Sequence, residues 1–319
     1  MTIDTHHHML PEFFWRETND SHAPVGGLAP LQWSKEAMIS FMDDAEIDVA
    51  VMSVSTPGVH VGDSEKARLL ARRCNEFAAE LVNTRPDRFA GFACIPLPEV
   101  DASLEELAYA LDVLRLDGVV VFTNSTGVYL GEASLEPVFE ELERRRSVVF
   151  VHPNQSPDAA AHSLGLPDNL LDFPTDTNRA VAQMHYMNRF ARTPNVKYIM
   201  SHAGGSIPYL AARLAIIDEM DFIKGAEQRG TAADMFRRIY WDTALSATDP
   251  VFRMLRDVAG VDQVLFGTDF PYLRRDLAVG ARQRILQSSE LNHLEKQAVL
   301  GGNAARLFPR LQALRGEKR

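Results

Sequence analysis

Short, almost wholly apolar runs recur along this chain, separated by longer segments whose apolar positions return every third or fourth residue. The short runs predict strands at Thr2–Thr5, Asp48–Val54, Phe89–Ile95, Gly118–Phe122, Val148–Val151, Val196–Met200, Ile239–Trp241 and Gln263–Phe266. The longer segments, among them Ser64–Asn83, Ala102–Leu114, Leu135–Arg145, Ile207–Met220 and Ala278–Gln287, predict amphipathic helices. Start signals agree with this reading: Ser34 precedes Lys35–Ala45, Asp63 and Ser64 open the long second helix, and Thr248-Asp249 stands before Pro250. Strands that are apolar throughout are the kind that helices cover on both faces, and a regular β–α alternation points to the α/β class. Eight repeats predict a (β/α)8 TIM barrel, with a doubly wound open sheet as the second choice. A dinucleotide-binding sheet needs a glycine-rich turn after its first strand, and here Thr5 runs into histidines instead. One barrel domain over residues 1–319 accounts for the chain. Its long βα loops, Leu10–Trp33 and Asn154–Thr175, belong on the catalytic face, and the tail Glu290–Arg319 forms a helical extension with a charged end.

Composition narrows the class of function. The 319 residues carry 33 basic and 43 acidic side chains, a net charge of −10, which disfavours nucleic acid and anionic membranes as partners. No apolar run approaches the ~20 residues of a membrane span, and the N-terminus does not read as a signal peptide. The expectation is therefore a cytoplasmic protein. Two cysteines, Cys74 and Cys94, make neither a disulfide framework nor a zinc ribbon. Ten histidines, three of them consecutive at His6, His7 and His8, are the unusual feature.

A His-x-His pair on an extended segment turns both imidazoles to one side, so His6 and His8 share a face and His7 points away. In a barrel the strand ends converge, which brings His6 and His8 together with His152 after the fifth strand, His202 after the sixth and Asp269 after the eighth. Neutral imidazoles plus a carboxylate make a nitrogen/oxygen site for a divalent transition metal, completed by water. Either His152 or His202 alone reads equally well as a core histidine; their common placement at strand ends favours the site. His22, His60, His162, His185 and His293 lack that placement and are expected on the surface or in loops, with His60 nearest to a pocket position. Around the site, Asn124, Arg179, Asp242 and Phe270 are candidate substrate contacts. Asn124 reads equally as a turn residue, and Asp242 is placed to orient His202 or a neighbouring histidine. Arg179, Arg274 and Arg275 are either carboxylate partners or surface cations, and Phe13, Phe14 and Trp15 either wall an aromatic substrate or pack on the barrel rim.

The runs Ile3-Asp4-Thr5-His6-His7-His8-Met9-Leu10-Pro11, Val151-His152-Pro153, Ser201-His202-Ala203-Gly204-Gly205 and Phe266-Gly267-Thr268-Asp269-Phe270-Pro271 together resemble the amidohydrolase superfamily. Within it, the chain is similar to the aminocarboxymuconate-semialdehyde decarboxylase group from residue 2 to about 309, ending in Gly302-Asn303-Ala304-Ala305-Arg306-Leu307-Phe308. The wording at Ser55-Thr56-Pro57-Gly58-Val59-His60 and Thr123-Asn124 is similar to the 6-methylsalicylate decarboxylases. The resemblance implies His6, His8, His152 and Asp269 as metal ligands, and His202 and Asp269 as catalytic residues. Two-metal members bridge their ions with a lysine at the end of strand 4. Here that position reads Phe122-Thr123-Asn124-Ser125, and Lys197 and Lys224 sit elsewhere, so one ion is implied, zinc by expectation with manganese the alternative. The implied activity is non-oxidative decarboxylation of a small hydroxylated aromatic (salicylate-like) or muconate-like carboxylic acid, with a hydrolase, lactonase or hydratase on the same site as the alternative. A barrel serving only as a binding module is the third reading, and the ligand set argues against it. A homodimer, with a partner arginine entering the site, also follows from the resemblance.

Overall fold

The computed structural model describes residues 1–19, 23–162, 164–220 and 230–317, so the expectations for His22 and Lys224 lie outside the described residues. Ten strands occur in chain order: β1 Ile3–His8, β2 Val49–Ser53, β3 Phe89–Cys94, β4 Gly118–Phe122, β5 Asn124–Ser125, β6 Val128–Tyr129, β7 Val148–His152, β8 Lys197–Met200, β9 Tyr240–Asp242 and β10 Val264–Leu265. Strands β5 and β6 form a small antiparallel hairpin beyond the end of β4, which the apolar pattern did not announce. The other eight pair in parallel in the order β1-β2-β3-β4-β7-β8-β9-β10. Closure comes from Thr5 N donating to Phe266 O at 2.9 Å, Asp269 N to His6 O at 2.9 Å and His8 N to Phe270 O at 2.8 Å. That closure excludes the doubly wound open sheet and makes the molecule a (β/α)8 barrel.

Most strand ends shift by a residue from the sequence reading, and two strands, β1 and β10, differ for clear local reasons. Strand β1 does not stop at Thr5 but continues through the three histidines to His8. Its register against β2 shifts between Asp4 and His7, where β1 holds one residue more than its partner. The Asp4 carboxylate accepts the His6 amide at 3.0 Å within that bulge, so no backbone donor is left over. Strand β10 is only Val264–Leu265, because Val261–Gln263 forms a 3-10 turn before it and Phe266 bonds across the closure instead.

The helices follow the apolar period closely. Ser64–Thr84 is capped by Asp63, whose side chain accepts from Lys66 N, and Lys35–Asp44 by Ser34, which accepts from Ala37 N. The segment Ala102–Leu114 is a helix Val100–Ala108 ending in a π-turn Tyr109–Val113, and the segment Ile207–Met220 is helical only from Ala211 to Glu219. The tail is a chain of short pieces, His293–Gln297, Ala298–Gly302, Asn303–Leu307 and Pro309–Glu317, rather than a single helix. It covers the end of the barrel opposite the histidines. Arg310 bonds Asp117 Oδ1 at 3.1 Å and Phe89 O at 2.9 Å, and Asn303 Nδ2 donates to Val261 O and Val264 O. Inside the barrel Phe92 stacks on Phe150, and the Phe150 ring meets His6 edge-on with centroids 5.0 Å apart. The apolar core therefore ends at His6, and the chemistry begins there.

Candidate active site

Three of the histidines at the mouth of the barrel, His6, His8 and His152, have Nδ1 held by a neighbour. His6 Nδ1 bonds Asp242 Oδ2 at 2.7 Å, His8 Nδ1 bonds Ser53 Oγ at 3.1 Å, and His152 Nδ1 donates to Pro153 O at 2.8 Å. The ring orientation is thus set, and Nε2 of each imidazole is the free lone pair. These nitrogens converge: His6 Nε2 lies 3.1 Å from His8 Nε2, and both lie 3.2 Å from Asp269 Oδ1. One ligand-type atom from each of His6, His152, His202 and Asp269 falls within 4.8 Å of all the others. His8, as close to His6 and Asp269 as these distances state, makes a fifth candidate around the same point.

The spacing fits a metal ion better than it fits hydrogen bonds. Although two imidazole nitrogens stand 3.2 Å from it, buried Asp269 Oδ1 has no aligned donor among the described residues. Donor atoms bound about 2.0–2.2 Å from a tetrahedral ion are themselves about 3.3 Å apart, which matches these separations. The charge balance points the same way. Burial would strip a proton from His6, but Asp242 and Asp269 push its imidazole up to about 10. Burial keeps His8 neutral, pushing it down to about 4, and burial together with His8 and His6 holds His152 well below its ordinary value. Burial would raise the Asp269 carboxyl, yet the His6 charge and the adjoining imidazoles hold it well below the usual range. Two buried carboxylates thus call for one positive charge at the centre of this cluster.

The backbone is bent to make the cluster possible. His202 (φ 52°), Ala203 (54°), Gly204 (72°) and Gly205 (63°) are four consecutive left-handed residues after β8, and Asp269 (62°) is another after β10. Gly204 lies so close to Trp241 that a Cβ there would come within 2.4 Å of the ring. Asp242 Oδ1 stabilises the bend by accepting the His202 amide at 2.8 Å and the Ala244 amide at 3.0 Å. His202 Nε2 then reaches Asp269 Oδ2 at 3.3 Å.

Above these residues opens a cavity of about 420 Å³, with His152, His202 and Asp269 on its floor and Leu28, Leu170, Phe173, Leu245 and Leu273 among its walls. Several residues expected there are elsewhere. Asn124 serves the hairpin: its Nδ2 donates to Asp176 Oδ2 at 2.9 Å and its Oδ1 accepts from Gly127 N. Arg179 lies 3.6 Å from Asp176 and does not line the cavity, while Arg274 and Arg275 pair with Asp276 and Asp44 at the surface. Phe270 stacks between His7 and Phe41, and His7 bonds Asp4 at 2.8 Å, so both belong to the packing behind β1. Phe13 packs on Phe77 and Phe14 is buried, so the first-loop aromatics pack on the barrel rim, and His60 pairs with Glu99. His185 is not a surface residue: it is 2% exposed and bonds Asp218 at 2.8 Å. Asp176, fully buried and bonded by Thr123, Asn124 and Tyr129, had no sequence signal, because a lone carboxylate in a helix is ordinarily solvated. Ser55 and Tyr272, both on the cavity wall, were missed as well.

Comparison with known proteins agrees with this geometry. Residues 3–310 match the family described as amidohydrolase. A 6-methylsalicylic acid decarboxylase of Penicillium expansum is 33% identical over 98% of this chain and 97% of its own length. A 2-keto-4-carboxy-3-hexenedioate hydratase of a Sphingobium species is 26% identical over 98% and 97%. Among solved structures, an amidohydrolase II is 28% identical with a TM-score of 0.89, covering 96% of this chain and 99% of that one.

Proposed function

The chain belongs to the amidohydrolase family, and from that premise we propose that it is a metal-dependent, non-oxidative decarboxylase of a small hydroxylated aromatic carboxylic acid. The observation that carries the reading is the convergence of three Nδ1-anchored histidines and Asp269 on one point at the floor of an apolar-walled cavity. The likeness over nearly the full chain to a decarboxylase of a methylated hydroxybenzoate supports it. His6, His8, His152 and Asp269 would hold a single divalent ion, zinc by expectation and manganese as the alternative, and elemental analysis of purified protein decides between them. When bound, the ion supplies Lewis-acid stabilisation of negative charge on the substrate carboxylate and on an adjacent oxygen.

The chain's own residues supply the rest. Loss of carbon dioxide breaks the bond between ring and carboxylate and leaves the electron pair on the ring carbon, which must then take a proton. His202 Nε2, 3.3 Å from Asp269 Oδ2, is the atom placed to hold that proton. From that atom it passes to the ring carbon. The apolar walls keep water from that carbon and hold the ring flat against the floor. Carbon dioxide is expected from ortho-hydroxybenzoates, 6-methylsalicylate among them, when metal-loaded protein is assayed against a panel that includes aminocarboxymuconate semialdehyde. A second reading, favoured by the hydratase relative, predicts the opposite: addition of water to an unsaturated acid with every carbon retained. A homodimer belongs to the same reading, and light scattering in solution tests it.

Asp242 is proposed to orient His6 and to hold the bent backbone at His202. Asp242→Asn is expected to weaken metal binding by about 10- to 100-fold, the usual effect of losing such a partner. Competition with a chelator reads this out. Unchanged affinity would remove Asp242 from the site.

A further inference from the structure

One buried hydroxyl on the cavity wall has the Ser55 side chain beside it but no well-aligned partner among the described residues. Tyr272 lies three residues beyond Asp269; the residue as a whole is only partly buried, but its hydroxyl is buried and has no aligned hydrogen-bond partner among the described residues. Its ring meets His8 edge-on with centroids 5.4 Å apart, so the side chain packs against the metal-binding cluster. The Ser55 hydroxyl stands next to it on the same wall. A buried phenol left unpaired costs more than a phenol replaced by phenylalanine, so a tyrosine here needs a partner that arrives with the ligand. A phenol is neutral at ordinary pH and can donate. Another wall hydroxyl is already engaged: Thr56 Oγ1 donates to Asn154 Oδ1 at 2.5 Å. No lysine or arginine lines this cavity among the described residues. The wall beside the metal-binding cluster is therefore equipped for a neutral oxygen and not for a second carboxylate.

We propose that Tyr272, positioned by Ser55, is a specificity-determining residue that donates a hydrogen bond to the oxygen substituent ortho to the substrate carboxylate, making the pocket selective for hydroxylated monocarboxylic aromatic acids. The proposal rests on the decarboxylase reading and names the substrate class within it. It requires no change at the metal ligands. Its energetic content is one buried hydrogen bond that is made only when the ligand carries the matching oxygen.

The test is a thermodynamic cycle between one protein group and one ligand group. Binding of 2-hydroxybenzoate and of benzoate to metal-loaded wild type and Tyr272→Phe is measured by calorimetry, with metal content and melting temperature recorded for each protein. The expected result is that Tyr272→Phe keeps its metal and melts as the wild type does. It should bind 2-hydroxybenzoate about 10- to 100-fold more weakly and benzoate equally well. Ser55→Ala is expected to lower the preference for the hydroxylated ligand in part. If the ratio between the two ligands is the same in wild type and Tyr272→Phe while hydroxybenzoates are still decarboxylated, the role of Tyr272 is overturned and the activity stands. If wild type binds and decarboxylates no hydroxybenzoate, both fall together. Tighter binding of 1,3-dicarboxylates than of 2-hydroxybenzoate by wild type would also overturn the proposal.

Discussion

His6→Ala is expected to emerge from purification without metal and to lower kcat/KM by at least about 1,000-fold. His6 is the hub of the cluster: Nδ1 on Asp242 at 2.7 Å, Nε2 at 3.1 Å from His8 and 3.2 Å from Asp269, and no exposed surface. Its loss removes one donor to the ion and leaves Asp242 buried beside an empty space, so the charge balance that favours a cation collapses from two sides. Metal polarisation of a substrate oxygen contributes several kcal/mol, and about 4 kcal/mol of transition-state stabilisation corresponds to roughly 1,000-fold in rate. The informative control is the next residue. His7 faces Asp4, Phe41 and Phe270 on the other side of β1. His7→Ala should therefore retain the metal while losing about 2–4 kcal/mol of stability in denaturant unfolding, as large-to-small core changes do. Metal loss from His7→Ala with metal retention in His6→Ala would reverse the assignment of the two faces.

His202→Asn is expected to keep its metal and lower kcat by about 100- to 10,000-fold with KM little changed, the range for removal of a positioned proton donor. The prediction has to choose, because five donors surround a point that four would fill. His202 differs from the rest in two respects. Among the described residues nothing bonds its Nδ1, whereas His6, His8 and His152 each have theirs held, and its Nε2 faces Asp269 Oδ2 while Oδ1 faces His6 and His8. The Asp269 carboxylate is thus divided, one oxygen toward the ligand cluster and one toward His202. Elemental analysis decides the matter: a fall in metal content as large as that in His6→Ala would make His202 a ligand.

The barrel was legible because parallel strands covered by helices must be apolar throughout, and eight such runs were spaced by helical periods. The strand ends were legible for the same reason, and with them His6, His8, His152, His202 and Asp269. What failed was everything decided by direction rather than position. Asn124 follows a strand and Arg179 the long loop, as expected, but a buried carboxylate at Asp176, invisible in a helix pattern, takes up Asn124 and draws Arg179 toward it. Phe270 turns behind β1 because Asp269 is left-handed, and a φ angle leaves no trace in a periodicity. Tyr272 and Ser55 are ordinary loop residues by type, distinguished only by where the chain path puts their hydroxyls.

The bonds that close the barrel join Thr5 to Phe266, 261 residues apart, and the ligand cluster straddles that closure, with His6 and His8 on one side and Asp269 on the other. An ion held there would be a clasp between the two ends of the fold as well as a catalyst. It would fasten one of the longest loops in the molecule, a connection whose entropy is among the costliest to close. Binding of the ion and completion of the ring are then a single equilibrium, so the enzyme's metal affinity and its resistance to opening at the β1–β10 edge rise and fall together.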